Sequence, residues 1–292
     1  MTLPPLICII VRGRKIMSEE NCNHECDGCD EEHCPSRDKI EKIKPHAMTS
    51  FKKTIAIISG KGGVGKSMVT SLLAASLARA GHTVAILDAD VTGPSIPQAF
   101  GLNGYQAVGD EDGIFPGKSS KGIAIMSANL LVDTPATPIV WRGPMISSLV
   151  QQMYSNVIYG EMEFLLIDMP PGTGDVPLTV FQQIPIDGVI VVSSPQELVS
   201  LVVEKSVNMA KMMKVNLLGL VENMAYAKCP HCGEKIDVFG TGDLCAVAKR
   251  YQIPLLDELP IDPALAKLID EGKVEEYTGN PLEKSVALLE KM

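Results

Sequence analysis

Thr54-Ile55-Ala56-Ile57-Ile58-Ser59-Gly60-Lys61-Gly62-Gly63-Val64-Gly65-Lys66-Ser67 is a short apolar run that passes directly into a glycine-rich turn. The turn matches G-x-x-x-x-G-K-S/T, a pattern that carries meaning when a strand precedes it and a helix follows. Both conditions are met. Val69, Leu72, Leu73, Leu77 and Ala80 recur at helical spacing after the turn, and Gly81 follows as a stop. A second apolar run, 83–88, comes next. Strand, helix and strand at this interval form a βαβ unit, whose crossover places the two strands parallel in one sheet.

Three further runs, 164–168, 188–192 and 217–221, are continuously apolar instead of alternating. Strands covered by helices on both faces read this way. The expected fold is therefore α/β, a doubly wound, mostly parallel sheet over residues 51–292. Residues 1–50 have a different composition, polar and rich in Cys, His, Asp and Glu, and are expected to form a separate leader.

Of the 292 residues 46% are hydrophobic and 21% charged, which suits a globular chain; with only 4% aromatic, aliphatic side chains and the 14 Met must build its core. A net charge of −9 argues against a general binder of phosphate backbones, so no nucleic-acid partner is expected. No apolar run reaches the ~18 residues of a membrane span. The short run 6–11 is followed, not preceded, by Arg12, Arg14 and Lys15, the reverse of an export signal. A cytoplasmic chain with no membrane partner is expected, and residues 1–16, ahead of Met17, read as an upstream extension. Eight cysteines in such a chain point to metal ligation or redox chemistry, not to disulfides.

In the loop Gly60, Lys61, Gly62, Gly63, Val64, Gly65, Lys66 and Ser67, the glycines free backbone N–H groups to face phosphates. The helix N-terminus adds a favourable dipole. Lys66 is expected to reach the β- and γ-phosphates of a nucleoside triphosphate, and the Ser67 hydroxyl to ligate Mg²⁺. Asp88 and Asp90 end the second strand at the edge where such sheets bind ligands. Asp168 ends another strand and precedes Met169-Pro170-Pro171-Gly172-Thr173-Gly174-Asp175. That placement suits an aspartate holding Mg²⁺ through water, followed by a switch segment sensing the γ-phosphate.

Cys229-Pro230-His231-Cys232-Gly233 spaces two thiolates to chelate one metal centre. A structural zinc site needs four ligands, and no second pair lies nearby. A twofold dimer would complete the site, with four thiolates around one shared cluster; a zinc knuckle and a redox dithiol are the alternatives. Cys245, within a predicted helix, reads as a buried structural cysteine. In the leader, Cys22, Cys26, Cys29 and Cys34 stand close enough to wrap one cluster or one zinc, with His24 and His33 between them.

The early lysine of K-G-G-V-G-K-S resembles the deviant Walker A family of P-loop NTPases, which includes MinD, ParA and the nitrogenase iron protein. Together with D-A-D-V-T-G-P-S at 88–95, D-M-P-P-G-T-G-D at 168–175, V-E-N-M at 221–224 and C-P-H-C-G at 229–233, the chain resembles the Mrp/ApbC group of iron–sulfur cluster-carrying ATPases. The resemblance covers roughly residues 50–285. It implies that Lys61 reaches the partner subunit's nucleotide, Asp90 orients the attacking water, Asp88 supports Mg²⁺ or the loop, and Asn223 contacts adenine and selects ATP. It further implies a homodimer bridging a labile 4Fe-4S cluster through Cys229 and Cys232 for delivery to apo-proteins. Some relatives in that group carry an N-terminal four-cysteine cluster, which the spacing here does not reproduce. The competing reading is a MinD- or ParA-like positioning ATPase with a structural zinc knuckle, but the tail at 281–292 is not a basic amphipathic helix. A reductase like the nitrogenase iron protein would place a cysteine just after the switch, where this chain has Asp175-Val176-Pro177.

Overall fold

A computed structural model describes residues 41–91, 93, 95–132, 143–195, 199–240 and 244–292. The leader cysteines Cys22, Cys26, Cys29 and Cys34 lie outside the described residues. The five runs read as strands are β1 (Ser50–Ser59), β2 (Val84–Asp88), β5 (Glu161–Asp168), β6 (Gly188–Ser193) and β7 (Leu217–Glu222). Three short strands join them: β3 (Gly117–Lys118), β4 (Ala124–Ser127) and β10 (Leu255–Glu258). The eight form one sheet in the order β10-β7-β6-β1-β5-β2-β4-β3, parallel throughout except for β3 at the edge. A separate antiparallel ribbon pairs β8 (Ala227–Lys228) with β9 (Lys235–Ile236).

Alternate residues of the central strands supply two cores. Ala56, Ile58, Leu165 and Ile167 pack under α3 (Gly143–Ser155), α4 (Asp175–Gln183), α5 (Val199–Met212) and α6 (Leu244–Tyr251). Ile55, Ile57, Ile86 and Leu166 pack under α1 (Lys66–Arg79), α2 (Ile96–Ala99), α7 (Pro263–Asp270) and α8 (Glu283–Glu290). Both faces of the sheet are covered, which is why its strands lack polar alternation. At the end of α1, Gly81 takes φ +99° and the chain closes a Schellman motif, with Gly81 N–H on the Ala78 carbonyl and His82 N–H on Leu77.

Glu41–Met292 form one compact unit. Lys42 caps the end of α4, donating to the Phe181 and Ile184 carbonyls at 2.7 and 3.1 Å. Thr49 is buried and hydrogen-bonds Val157 and Tyr159. Residues 41–50, polar in composition, thus go with the sheet that follows them and not with a separate leader.

His82 lies between two carboxylates, Glu163 at 2.8 Å and Glu290 at 3.3 Å, the latter on α8. The Glu163 hydrogen bond, followed by that of Glu290, raises its pKa above the ordinary value despite partial burial. A raised folded-state pKa stabilises fully below the unfolded value of about 6.5, and the stabilisation is lost as pH rises through the folded value. The melting temperature of the wild type is therefore expected to decline, as pH rises above about 6.5, more steeply than that of His82→Gln. Parallel profiles for the two proteins would remove His82 as the source.

Candidate functional site

Between β1 and α1 the chain turns through Gly60–Gly65, with Gly63 at φ +81° and Gly65 at φ +77°, a region that glycine occupies without steric cost. Gly65 is the N-cap of α1 and no side chain caps it. The first-turn N–H groups and the positive end of the helix dipole are therefore available to an anion. A cleft of about 330 Å³ lies over this loop, walled also by Asp90, Pro171 and Ile269.

The two loop lysines have opposite environments. Lys66 is 5% exposed and its ammonium sits 2.6 Å from Asp168 Oδ2; Asp168 is wholly buried. The same carboxylate accepts hydrogen bonds from Ser67 Oγ and Thr70 Oγ1, each at 2.6 Å. Lys61, by contrast, is exposed at the cleft rim. Sequence reasoning missed Thr70, although its position one turn beyond Lys66 on the same helix face was a usable signal.

Parallel pairing sets Asp88 directly beside Asp168 at the carboxyl edge of the sheet. Asp88 has no exposed surface, and burial, then the charge of Asp168, push its pKa up to about 8. Ser127, which ends β4 at the same edge, donates to it at 3.0 Å, and the Asp90 N–H donates at 3.2 Å. Ser67, Asp88 and Asp168 make an all-oxygen donor set under a phosphate cradle. That set fits a hard divalent cation such as Mg²⁺. Asp90 is half-buried and faces the cleft.

The switch segment touches the loop directly. Gly172, at φ +88°, donates its N–H to the Ser59 carbonyl at 2.9 Å, and Pro171 stands against Gly62. Asn223, which follows β7, is held against the loop. Its side chain is fully buried behind the loop and donates to the Val64 carbonyl at 2.8 Å, so close that a β-carbon on Gly65 would overlap its amide.

Cys229 and Cys232 occupy the turn of the β8–β9 ribbon. Cys229 N–H bonds the Glu234 carbonyl and Gly233 N–H bonds that of Cys229, both at 2.9 Å, with Gly233 at φ +76° closing the turn. Lys235 lies 4.0 Å over the Tyr226 ring and braces the ribbon. Hydrogen bonds from the backbone of Cys232 and then His231 hold the Cys229 thiol below its ordinary pKa, which favours the thiolate that metals bind. Residues 231–240 are all exposed. Among the described residues no group of three or more His, Cys, Asp or Glu could hold a metal ion, so these residues offer two thiols and no third ligand. Cys245 corrects an expectation: it is exposed, because α6 buries Leu244, Val247 and Ala248 and turns the next position outward. No helix among the described residues is long and apolar enough to cross a membrane.

A doubly wound sheet carrying this loop, its lysine and its edge carboxylates defines a P-loop NTPase. Residues 50–291 match the family described as "ParA: NUBPL iron-transfer P-loop NTPase", and the chain belongs to it. It is 46% identical to an iron-sulfur cluster carrier protein of Clostridium perfringens over 241 residues, 80% of this chain and 84% of the relative. It is 42% identical to the protein so named in Methanocaldococcus jannaschii, covering 86% of this chain and 89% of that one. Among solved structures it resembles a nucleotide-binding protein of Archaeoglobus fulgidus in complex with ADP, at TM-score 0.72 and 45% identity, covering 80% of this chain and 91% of that one. The cell division ATPase MinD of Pyrococcus furiosus shares the fold at TM-score 0.55 and 22% identity, covering 82% of this chain and 98% of that one.

Proposed function

We propose that two copies of this chain share one 4Fe-4S cluster between their paired Cys229 and Cys232, and that ATP hydrolysis at the loop governs its transfer to apo-proteins. The observation that carries the reading is a solvent-exposed hairpin at which the described residues offer two thiols and no further ligand, on a member of an iron-transfer NTPase family. Half of a four-thiolate site is what each protomer of a symmetric pair would contribute.

In hydrolysis, the loop N–H groups and Lys66 bind the β- and γ-phosphates, and Asn223 holds the loop from behind. Asp90 orients the water whose oxygen attacks the γ-phosphorus as the bond to the ADP oxygen breaks. Lys61 of the partner subunit stabilises the charge that develops on the transferred phosphoryl group. Mg²⁺ held by Ser67, Asp88 and Asp168 would neutralise phosphate charge. Cys22, Cys26, Cys29 and Cys34 would hold a second metal, iron–sulfur or zinc; metal content of a chain beginning at Glu41 tests this without cutting into the folded unit.

The decisive test is anaerobic reconstitution with iron and sulfide of that Glu41 chain and of its Cys229→Ala/Cys232→Ala variant. About four irons per dimer are expected in the first and none in the second. Equal iron in both proteins, with both dimeric, would sink the bridging reading. Zinc in place of iron, one per chain, would favour the structural knuckle.

A further inference from the structure

The phosphate loop and the cysteine ribbon are joined by one short stretch of chain, Asn223–Cys229. Six residue steps span at most about 20 Å when extended. At its start the Asn223 amide donates to the Val64 carbonyl, while its Oδ1, fully buried, has no hydrogen-bond partner. The Asn223 N–H is fixed to the Ser193 carbonyl at 2.7 Å, so the side chain, not the backbone, is the part that can respond to the loop.

The next residue carries the second observation. Met224 takes φ +57°, the left-handed region that a long side chain adopts at a steric cost, and its Cε lies 3.6 Å from the β-carbon position of Gly65. Strain of this kind persists only where surrounding contacts impose it. Here the loop at Gly65 is one such contact, beside the backbone bonds that hold Asn223 to Ser193 and Ala225 to Leu259. Beyond Met224 the chain is gripped by the segment after β10: Ala225 N–H bonds the Leu259 carbonyl at 2.8 Å, and Ile261 N–H bonds that of Tyr226 at 2.7 Å. Ala227, the first residue of β8, also bridges to Ile261. That gripping segment runs into Asp262, which caps α7, the helix whose Ile269 walls the nucleotide cleft. Both chains at the root of the ribbon therefore lead back to the nucleotide site.

We infer that Asn223 and Met224 form a relay through which occupation of the phosphate loop is felt at Cys229 and Cys232. When phosphates draw the loop's backbone toward themselves, Val64 and Gly65 move relative to Asn223, the imposed conformation at Met224 is altered, and the ribbon turns on its Leu259 and Ile261 anchors. The inference rests on the reading of the loop as a nucleotide site and the cysteines as the cargo site, and it supplies the connection between them.

The test uses the full-length, metal-free, reduced protein and reads the alkylation rates of Cys229 and Cys232 by peptide mass spectrometry, with and without Mg·ADP. Nucleotide affinity is measured separately with a fluorescent ADP. In the wild type, nucleotide is expected to change the rate about fivefold or more, the lower end of ordinary coupling between sites. Met224→Gly occupies the left-handed region freely, so its relay is slack: the nucleotide effect should fall below about twofold with affinity kept within about threefold. If that variant does not fold, Met224→Asn, which tolerates positive φ, carries the same expectation. A full nucleotide response in the variant overturns the relay. So does a wild type that binds ADP with no change at either cysteine, or that binds no ADP. Because no cluster is present in this assay, failure to bind iron would refute the cargo reading and leave the alkylation result standing.

Discussion

Lys61→Ala is expected to lower ATP turnover about a thousandfold while leaving the protein folded and able to bind nucleotide, the scale seen when a transition-state cation is removed from a phosphoryl-transfer site. The two lysines of the loop lie five residues apart, yet one is 5% exposed and ion-paired while the other stands at the rim of the cleft. Lys61 is exposed, so its loss should show far more in turnover than in melting temperature. A cation acting across a twofold axis also makes a prediction that one acting within its own chain does not. Lys61→Ala and Lys66→Ala should each be inactive alone. In a mixed dimer, however, the subunit that keeps Lys66 receives Lys61 from the other. Random mixing gives half heterodimers with one working site each, so about a quarter of wild-type activity should return. A mixture as inactive as its parents would place Lys61 outside the partner's site.

Asp168→Ala is expected to cost about 3–5 kcal/mol of unfolding free energy, because it strands a buried ammonium. The carboxylate is wholly buried and accepts from Lys66, Ser67 and Thr70, so one substitution orphans a charge and takes one partner from each of two hydroxyls. Urea unfolding of the variant measures the loss. Adding Lys66→Met to the same chain should restore most of it, since removing both members of a buried pair is far milder than removing one. A double variant no more stable than Asp168→Ala would mean that packing, not the ion pair, carries the cost. Neither protein should retain Mg²⁺-dependent hydrolysis.

The five long strands were legible because burial on both faces leaves an unbroken apolar signature, and the loop because its glycine spacing is dictated by backbone geometry. Strand β4 escaped notice because it is only four residues long. Ser127 went unseen with it, so the buried partner of Asp88 was missed. Asn223 was legible as a position but not as a contact: nothing in V-E-N-M says that the side chain turns back under Val64. Cys245 was misjudged because a free cysteine is usually inside, and only the helix phase, with Leu244, Val247 and Ala248 facing the core, reveals otherwise. The strap at 41–50 reads as leader because Lys42 and His46 are polar, yet its role is to meet the bare carbonyls at the end of α4 and beside β5.

The contact between Lys66 and Asp168 also changes what it means for this protein to take up a ligand. The cradle is not a hole of positive potential waiting to be filled; its strongest cation is already neutralised by an internal anion. An incoming phosphate must exchange places with a carboxylate, and the electrostatic gain is the difference between two ion pairs, not the whole of one. Such exchange favours ligands that bring several negative oxygens at once and penalises stray single anions.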